Sequence, residues 1–279
     1  MPVFRRTVGE VHLTLVATDK HGRPIADLHP IDFVLTDQGQ RVSIVQVQHA
    51  ADLPLNLGVV VDLSDSTHKN WQKTQAAAAR LLGSLMRNND RLFVLAFDTQ
   101  IELQREVDSP ARLSEVLLEP GHGGQTALYD AIIAASQGST ERDCGQPRRS
   151  ALIVFSDGED NHSTHNLYDA IAVAQREELA IYTIAIHSRH WKYPGDEALR
   201  LLTTQSGGRD FIVSNDQELE RAIAEVADEL RNSYAIFYHA PNSLPNGRFR
   251  TIHLQPLNGS LRLRSRAGYY LPAEQEAGK

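Results

Sequence analysis

Asp62, Ser64 and Ser66 are the residues of this chain whose types and spacing first suggest chemistry. They stand at alternate positions in NLGVVVDLSDS, residues 56–66, directly after an apolar run. Residues two apart can point the same way, so one carboxylate and two hydroxyls can leave the end of a strand together. That set suits a small hard cation such as Mg²⁺, which prefers oxygen ligands and keeps some of its waters. The same residue types after a strand also form turns and cap the next helix. DLSDS alone does not separate the two readings.

The elements that would carry these side chains follow from the apolar pattern. Leu57, Val59, Val60 and Val61 form a run with no polar interruption, which reads as a strand buried on both faces. In an open α/β sheet, ligand sites lie beyond the carboxyl ends of the strands. Two later stretches reach the same edge. Thr126 sits where a helix starts in GHGGQTALYDAI, and Asp157 follows the apolar strand SALIVFS. If the strands are parallel, Asp62 and Asp157 emerge on one rim, where like charges repel unless a cation lies between them.

Residues 9–50 read as β, with alternating strands at 11–17, 33–37 and 42–49 and a short turn at 28–32. Residues 51–55 (ADLPL) read as a linker, since Pro54 breaks any continuing strand. The pattern then alternates. Strands are expected at 56–61, 91–98, 101–107, 150–156, 180–187 and 210–213, and helices at 69–87, 109–118, from Thr126 onward, at 166–179, 196–204 and 216–231. A polar loop is expected at 138–149. After Asn232 the chain reverts to β at 234–239, 249–255 and 260–266. This predicts an α/β fold: a doubly wound, mostly parallel sheet over 55–232, inserted in a small β-sandwich built from 1–54 and 233–279. Neither end alone has enough strands to close a core.

Composition narrows the function. The chain has 279 residues, with 41% hydrophobic and 23% charged, as in an ordinary globular protein. A net charge of −7 argues against a general nucleic-acid binder. Arg262, Arg264 and Arg266 alternate with Leu261, Leu263 and Ser265, which reads as the solvent face of a strand. No apolar run is long enough for a transmembrane helix, and MPVFRRTVGE lacks the apolar core of a signal peptide. Cys144 stands alone, so neither an intrachain disulfide nor a Cys-based zinc site is expected.

On these residues the region 55–232 resembles a von Willebrand factor type A domain, the fold shared with integrin inserted domains. The metal-ion-dependent adhesion site of that family has the form Asp-x-Ser-x-Ser, a distal Thr and a distal Asp. This sequence supplies DLSDS at 62–66, GGQTALYDAI around Thr126 and FSDGEDN around Asp157. The flanks, LVATDKHGRPIADLHPIDF and a closing GYY, look like bacterial von Willebrand-related proteins whose domain is embedded in β structure. The resemblance implies that Asp62, Ser64, Ser66, Thr126 and Asp157 hold Mg²⁺, or Mn²⁺ or Ca²⁺. It implies an adhesion module rather than an enzyme, with a protein partner that offers a Glu or Asp to the open coordination position. It also favours an extracytoplasmic location, periplasmic or secreted. The partner's identity and the oligomeric state are not implied.

Rival readings rest on fewer residues. A haloacid-dehalogenase-like phosphotransferase also needs Mg²⁺ at a strand end, but its second acid is replaced here by Ser64, which removes the general acid. A zinc hydrolase could use Asp157, His162 and His165 in DGEDNHSTH, although nothing puts those histidines on one helix face. Ser156 and Ser206 lack a nucleophile elbow, and no Lys follows the glycines of GHGGQT as a phosphate loop requires. Asp98, Glu159 and Asp160 read as solvated or turn acids near the rim, and Trp71 and Trp191 as packing residues.

Overall fold

The computed structural model describes residues 10–85, 87, 89–107, 124–140, 148–187, 193–241 and 247–270. The first strands are β1 (Glu10–Asp19), β2 (Phe33–Asp37), β3 (Gln40–Arg41) and β4 (Ile44–His49). Then come β5 (Leu55–Asp62), α1 (Trp71–Leu85), β6 (Arg91–Phe97) and β7 (Ile101–Glu106). They are followed by α2 (Leu128–Thr140), β8 (Arg149–Phe155), α3 (Leu167–Arg176) and β9 (Leu179–Ile186). The alternation ends with α4 (Gly195–Ser206), β10 (Asp210–Val213) and α5 (Asp216–Arg231). Strands β11 (Tyr234–His239), β12 (Phe249–Pro256), β13 (Leu261–Arg264) and β14 (Gly268–Tyr270) complete the described chain.

The central sheet runs β10-β9-β8-β5-β6-β7. All neighbours in it are parallel except the β6–β7 hairpin. β5 lies in the middle, and every one of its residues is buried, as the uninterrupted apolar run predicts. Leu57, Val59 and Val61 face α1 and α5 on one side, while Val60 faces α2, α3 and α4 on the other. The sheet is therefore doubly wound. Asp62 pairs with Phe97 and Val61 with Phe155, so β5, β6 and β8 end at one level and their following loops share one rim.

Two antiparallel sheets come from the chain ends, β13-β1-β11-β4 and β14-β12-β2-β3. They enclose a separate core that includes Leu13, Leu15, Phe33, Leu35, Ile236 and Tyr238. Each sheet mixes strands from before and after the α/β region: Leu13 lies opposite Ile236, and Leu35 opposite Leu254. Inside this core the buried carboxylate of Asp37 accepts from Arg250 Nε at 2.9 Å and from the Tyr269 hydroxyl at 2.7 Å.

Several boundaries shift slightly from the sequence reading. The expected linker holds a 3-10 turn at Ala50–Asp52. A second 3-10 turn at His68–Asn70 leads into α1, which starts at Trp71 rather than at 69. α2 extends to Thr140, over the first residues of the expected polar loop. The expected helix at 109–118, with Gly121, Gly123, Cys144 and Trp191, lies outside the described residues.

The arginines of the last strands correct the sequence reading. Arg262 is exposed, but Arg266 is buried and Arg264 half-buried. The α/β region covers that face. Arg264 pairs with Glu229 of α5, which also pairs with Arg209 at 3.2 Å. Arg266 Nη2 donates to the His12 carbonyl at 2.6 Å and lies 3.3 Å from Glu178. Arg149, at the start of β8, donates to the carbonyls of Leu53 and Leu230. Alternation shows which side chains share a face and not what packs on it, and arginine can bury its stem while acids satisfy its head.

Candidate metal centre

Asp62 is the last residue of β5 and is 4% exposed. A strand that ends inside the protein brings its terminal side chain to the rim without bringing it into water. Its Oδ1 accepts from the Ser64 backbone at 2.9 Å, and its Oδ2 accepts from the Ser156 hydroxyl at 2.6 Å. Thr67 tightens the turn, its hydroxyl donating to the Asp62 carbonyl at 2.8 Å and the Ser64 carbonyl at 3.0 Å. Ser64 is buried and Ser66 exposed, and their hydroxyl oxygens lie 3.3 Å apart. The alternate spacing thus places Ser64 and Ser66 side by side beyond the carboxylate.

Asp157 enters from the end of β8 and is 8% exposed. Its loop is held in place by glycine. Gly158 has φ +81°, and a Cβ on Gly195 at the start of α4 would fall onto the backbone of Asp157 and Gly158. Only a pair without side chains allows this loop to lie so close to the helix.

Thr126 is buried just before α2. Its carbonyl accepts from the backbones of Asn161 and His162 at 3.0 Å each, and its own amide donates to Asn161 Oδ1 at 2.8 Å. The Asp65 amide donates to the Gly124 carbonyl at 3.3 Å. The Thr126 loop is therefore tied by main chain to both the Asp62 turn and the Asp157 loop. Among the predicted residues, Asp62, Ser64 and Ser66 are joined through the turn, and Asp157 lies near enough for its charge to act on Asp62. Thr126 joins them through backbone bonds.

Burial pushes the Asp62 carboxyl up to about 6; hydrogen bonds from Ser156 and Ser64 oppose this, and the charge of Asp157 adds to it. The carboxylates of Asp62 and Asp157 and the hydroxyls of Ser64 and Ser66 are oxygens of the kind a hard divalent ion takes, and positive charge there would offset both the burial and the repulsion. Among the described residues no three His, Cys, Asp or Glu side chains gather as a metal cluster, so a cation here would be held largely by hydroxyls. The residues fit such an ion.

His162, His165, Asp160 and Asp98 have structural partners. His162 Nδ1 lies 2.8 Å from Gln125 Oε1, and His165 Nδ1 2.7 Å from Asp130 Oδ1, which leaves the zinc reading without an assembled site. Asp160 accepts from the Tyr129 amide and the Ser163 hydroxyl. Asp98 is a turn acid, as read, but a buried one, accepting from the Gln100 amide at 3.3 Å. Trp71 is buried, as a packing residue should be. Sequence reasoning passed over Thr67 and Asn161, and weighed Ser156 only as a nucleophile, not as the donor that holds Asp62. The signal for Ser156 was available, since it directly precedes Asp157 at the strand end.

A cavity of about 130 Å³ opens beside this rim, and its walls include Asp62, Ser66 and Asp157.

The model of the family described as "VWA domain containing CoxE-like protein" matches residues 14–198. The uncharacterized protein sll0103 of Synechocystis sp. (strain ATCC 27184 / PCC 6803 / Kazusa) is 23% identical over 188 residues, which cover 66% of this chain and 43% of that protein. The chain thus matches less than half the length of this curated relative. Among solved structures, it is similar to von Willebrand factor type A from Catenulispora acidiphila, with a TM-score of 0.53 and 12% identity over 98% of this chain and 76% of that one. It is also similar to the conserved hypothetical protein BatB from Bacteroides thetaiotaomicron, with a TM-score of 0.51 and 15% identity over 63% of this chain and 98% of that one. At these identities the likeness to solved structures is one of fold.

Proposed function

Because this chain belongs to the family of VWA-domain-containing CoxE-like proteins, we propose that it is a protein-binding module that captures a Glu or Asp side chain of a partner. The capture is metal-dependent, with Asp62, Ser64, Ser66, Thr126 and Asp157 as the ligands of a divalent cation, Mg²⁺ first. One observation carries the reading: a buried carboxylate at the end of the central strand whose anion is disfavoured by burial and by a second carboxylate. Such a group is ready to be neutralised by a cation.

Bound there, the cation would supply a Lewis-acidic position open to one more anionic oxygen. This chain's own residues set its strength. Three of the five ligands are neutral hydroxyls, so two carboxylates leave a 2+ ion with little excess negative charge around it. Ser156 and the Ser64 amide hold Asp62 in one orientation, and the Gly158–Gly195 contact holds the loop that carries Asp157. Ligands fixed this way need little reordering when a partner arrives.

Titration calorimetry with Mg²⁺ and Mn²⁺ on the wild type and Asp62→Ala tests the site. Uptake by the wild type alone is expected, and equal uptake by both removes the site. Affinity capture of the partner in Mg²⁺, repeated in EDTA, tests the second half. The same likeness supports an extracytoplasmic setting, which cell fractionation checks.

A further inference from the structure

Where the β-sandwich meets the amino edge of the central sheet lies a smaller cavity, of about 30 Å³. The sandwich side contributes His12 of β1 and Arg266, which follows β13; the α/β side contributes Arg149, the first residue of β8, and Glu178, which precedes β9. Asp157 follows the other end of β8, so this site is separate from the metal rim. Its walls are fixed by backbone. Glu178 takes a left-handed conformation, φ +54°, that residues with a Cβ adopt rarely, and this turn brings its carboxylate to 3.3 Å from Arg266. Gly207 at the end of α4, φ +90°, lies so close to Arg266 that a Cβ there would stand 2.6 Å from the Arg266 amide nitrogen.

The polar atoms of this cavity call for an acceptor. Arg266 is 6% exposed, and its Nη2 is taken up by the His12 carbonyl at 2.6 Å. Arg266 Nε and His12 Nε2 are both buried, and among the described residues neither has a hydrogen-bond partner. An arginine N–H can only donate, and a buried donor left unmade costs stability. The lining also carries two guanidinium charges, Arg149 and Arg266, against the single carboxylate of Glu178, which is 3.7 Å from His12 Nδ1 as well. Positive charge held out of water in excess favours a negative occupant over a neutral one. The volume has room for one or two water-sized particles and none for a phosphate or sulfate. We propose that this cavity binds one monatomic anion, chloride, which accepts from Arg266 Nε and from a proton on His12 Nε2 and so bridges the sandwich to the α/β region.

The test follows thermal unfolding of the full chain in sodium chloride, sodium bromide and sodium gluconate at matched ionic strength, gluconate being too large to enter. The melting temperature should be about 3–6 °C higher in either halide, and the gain should saturate as a binding curve does. His12→Leu and Arg266→Gln each remove one donor, and each should abolish most of that gain. Equal melting in halide and gluconate overturns the proposal, and so does a halide gain that keeps its full size in both variants. Anomalous diffraction from a crystal of the wild type grown in bromide reads the position. A bromide peak between His12 and Arg266 is expected; a cavity that holds only water, or bromide on the outer surface alone, overturns the site. If a variant does not fold, the position of bromide in the wild type decides.

Discussion

The hydroxyl of Ser156 donates to Oδ2 of Asp62 at 2.6 Å, across the ends of two neighbouring parallel strands. It links the end of β8 to the residue proposed as the first metal ligand, and it occupies the carboxylate oxygen that the Ser64 amide leaves free.

Ser156→Ala should therefore weaken the site without removing a ligand. Loss of a partner that orients a metal-binding carboxylate typically costs 10- to 100-fold in affinity, so Mg²⁺ binding should fall about tenfold. The metal-free protein should also lose about 1–2 kcal/mol, because a buried carboxylate loses a donor. Calorimetry and urea unfolding in EDTA read the two effects separately.

The Asp62 carboxyl also sets a pH trend in the metal-free protein. Its pKa in the fold is about 6, against 3.8 ordinarily, so between these values the folded chain holds a proton that the unfolded chain has released. Stability from this group is present below about pH 4 and is lost as pH rises through about 6. In EDTA, Asp62→Asn should remove this part of the slope between pH 4 and 7. Melting curves across that range check it, and identical slopes for both proteins would refute it.

Gly195→Ala should damage the site from a distance. The added methyl falls onto the backbone of Asp157 and Gly158, so α4 or the loop must move. Overpacking of this kind costs about 1–3 kcal/mol. Because the displaced loop carries Asp157, Mg²⁺ affinity should fall along with stability. Gly83→Ala, where a Cβ meets nothing within 4 Å, serves as the control: it should leave Mg²⁺ affinity unchanged and raise stability by about 0.5–1 kcal/mol, because Ala replaces Gly inside α1.

The Glu229 carboxylate sits between Arg264 and Arg209 and is nearly buried. Glu229→Ala leaves Arg264 with its charge only partly in water, and should cost about 2–3 kcal/mol, below the usual range for a fully buried pair. Adding Arg264→Met should return much of that loss. Urea unfolding of the two single variants and the double variant checks the coupling.

Much of this was legible in the sequence because its strongest signals were local. The β5 run of Leu57 and Val59–Val61 has no polar break, and a strand buried on both faces is its simplest explanation. Parallel order then puts Asp62 and Asp157 on one rim, and the structure places them there. What stayed hidden depends on partners far along the chain. Asn161 holds the Thr126 amide across 35 residues, and Ser156 reaches Asp62 across 94. The arginines at 264 and 266 were misread for the same reason: their acids, Glu229 and Glu178, sit in the α/β region and not in the neighbouring strands.

The interleaving of the outer sheets bears on how the chain is made. β1 has its partners in β11 and β13, and β4 pairs with β11, so both must wait until the ribosome has passed Tyr234. Until then the emerging polypeptide carries unpaired strand edges while the α/β part between them is already able to collapse. A chain released before that point would expose those edges to its neighbours, and clumping rather than a working fragment is the outcome such ends favour.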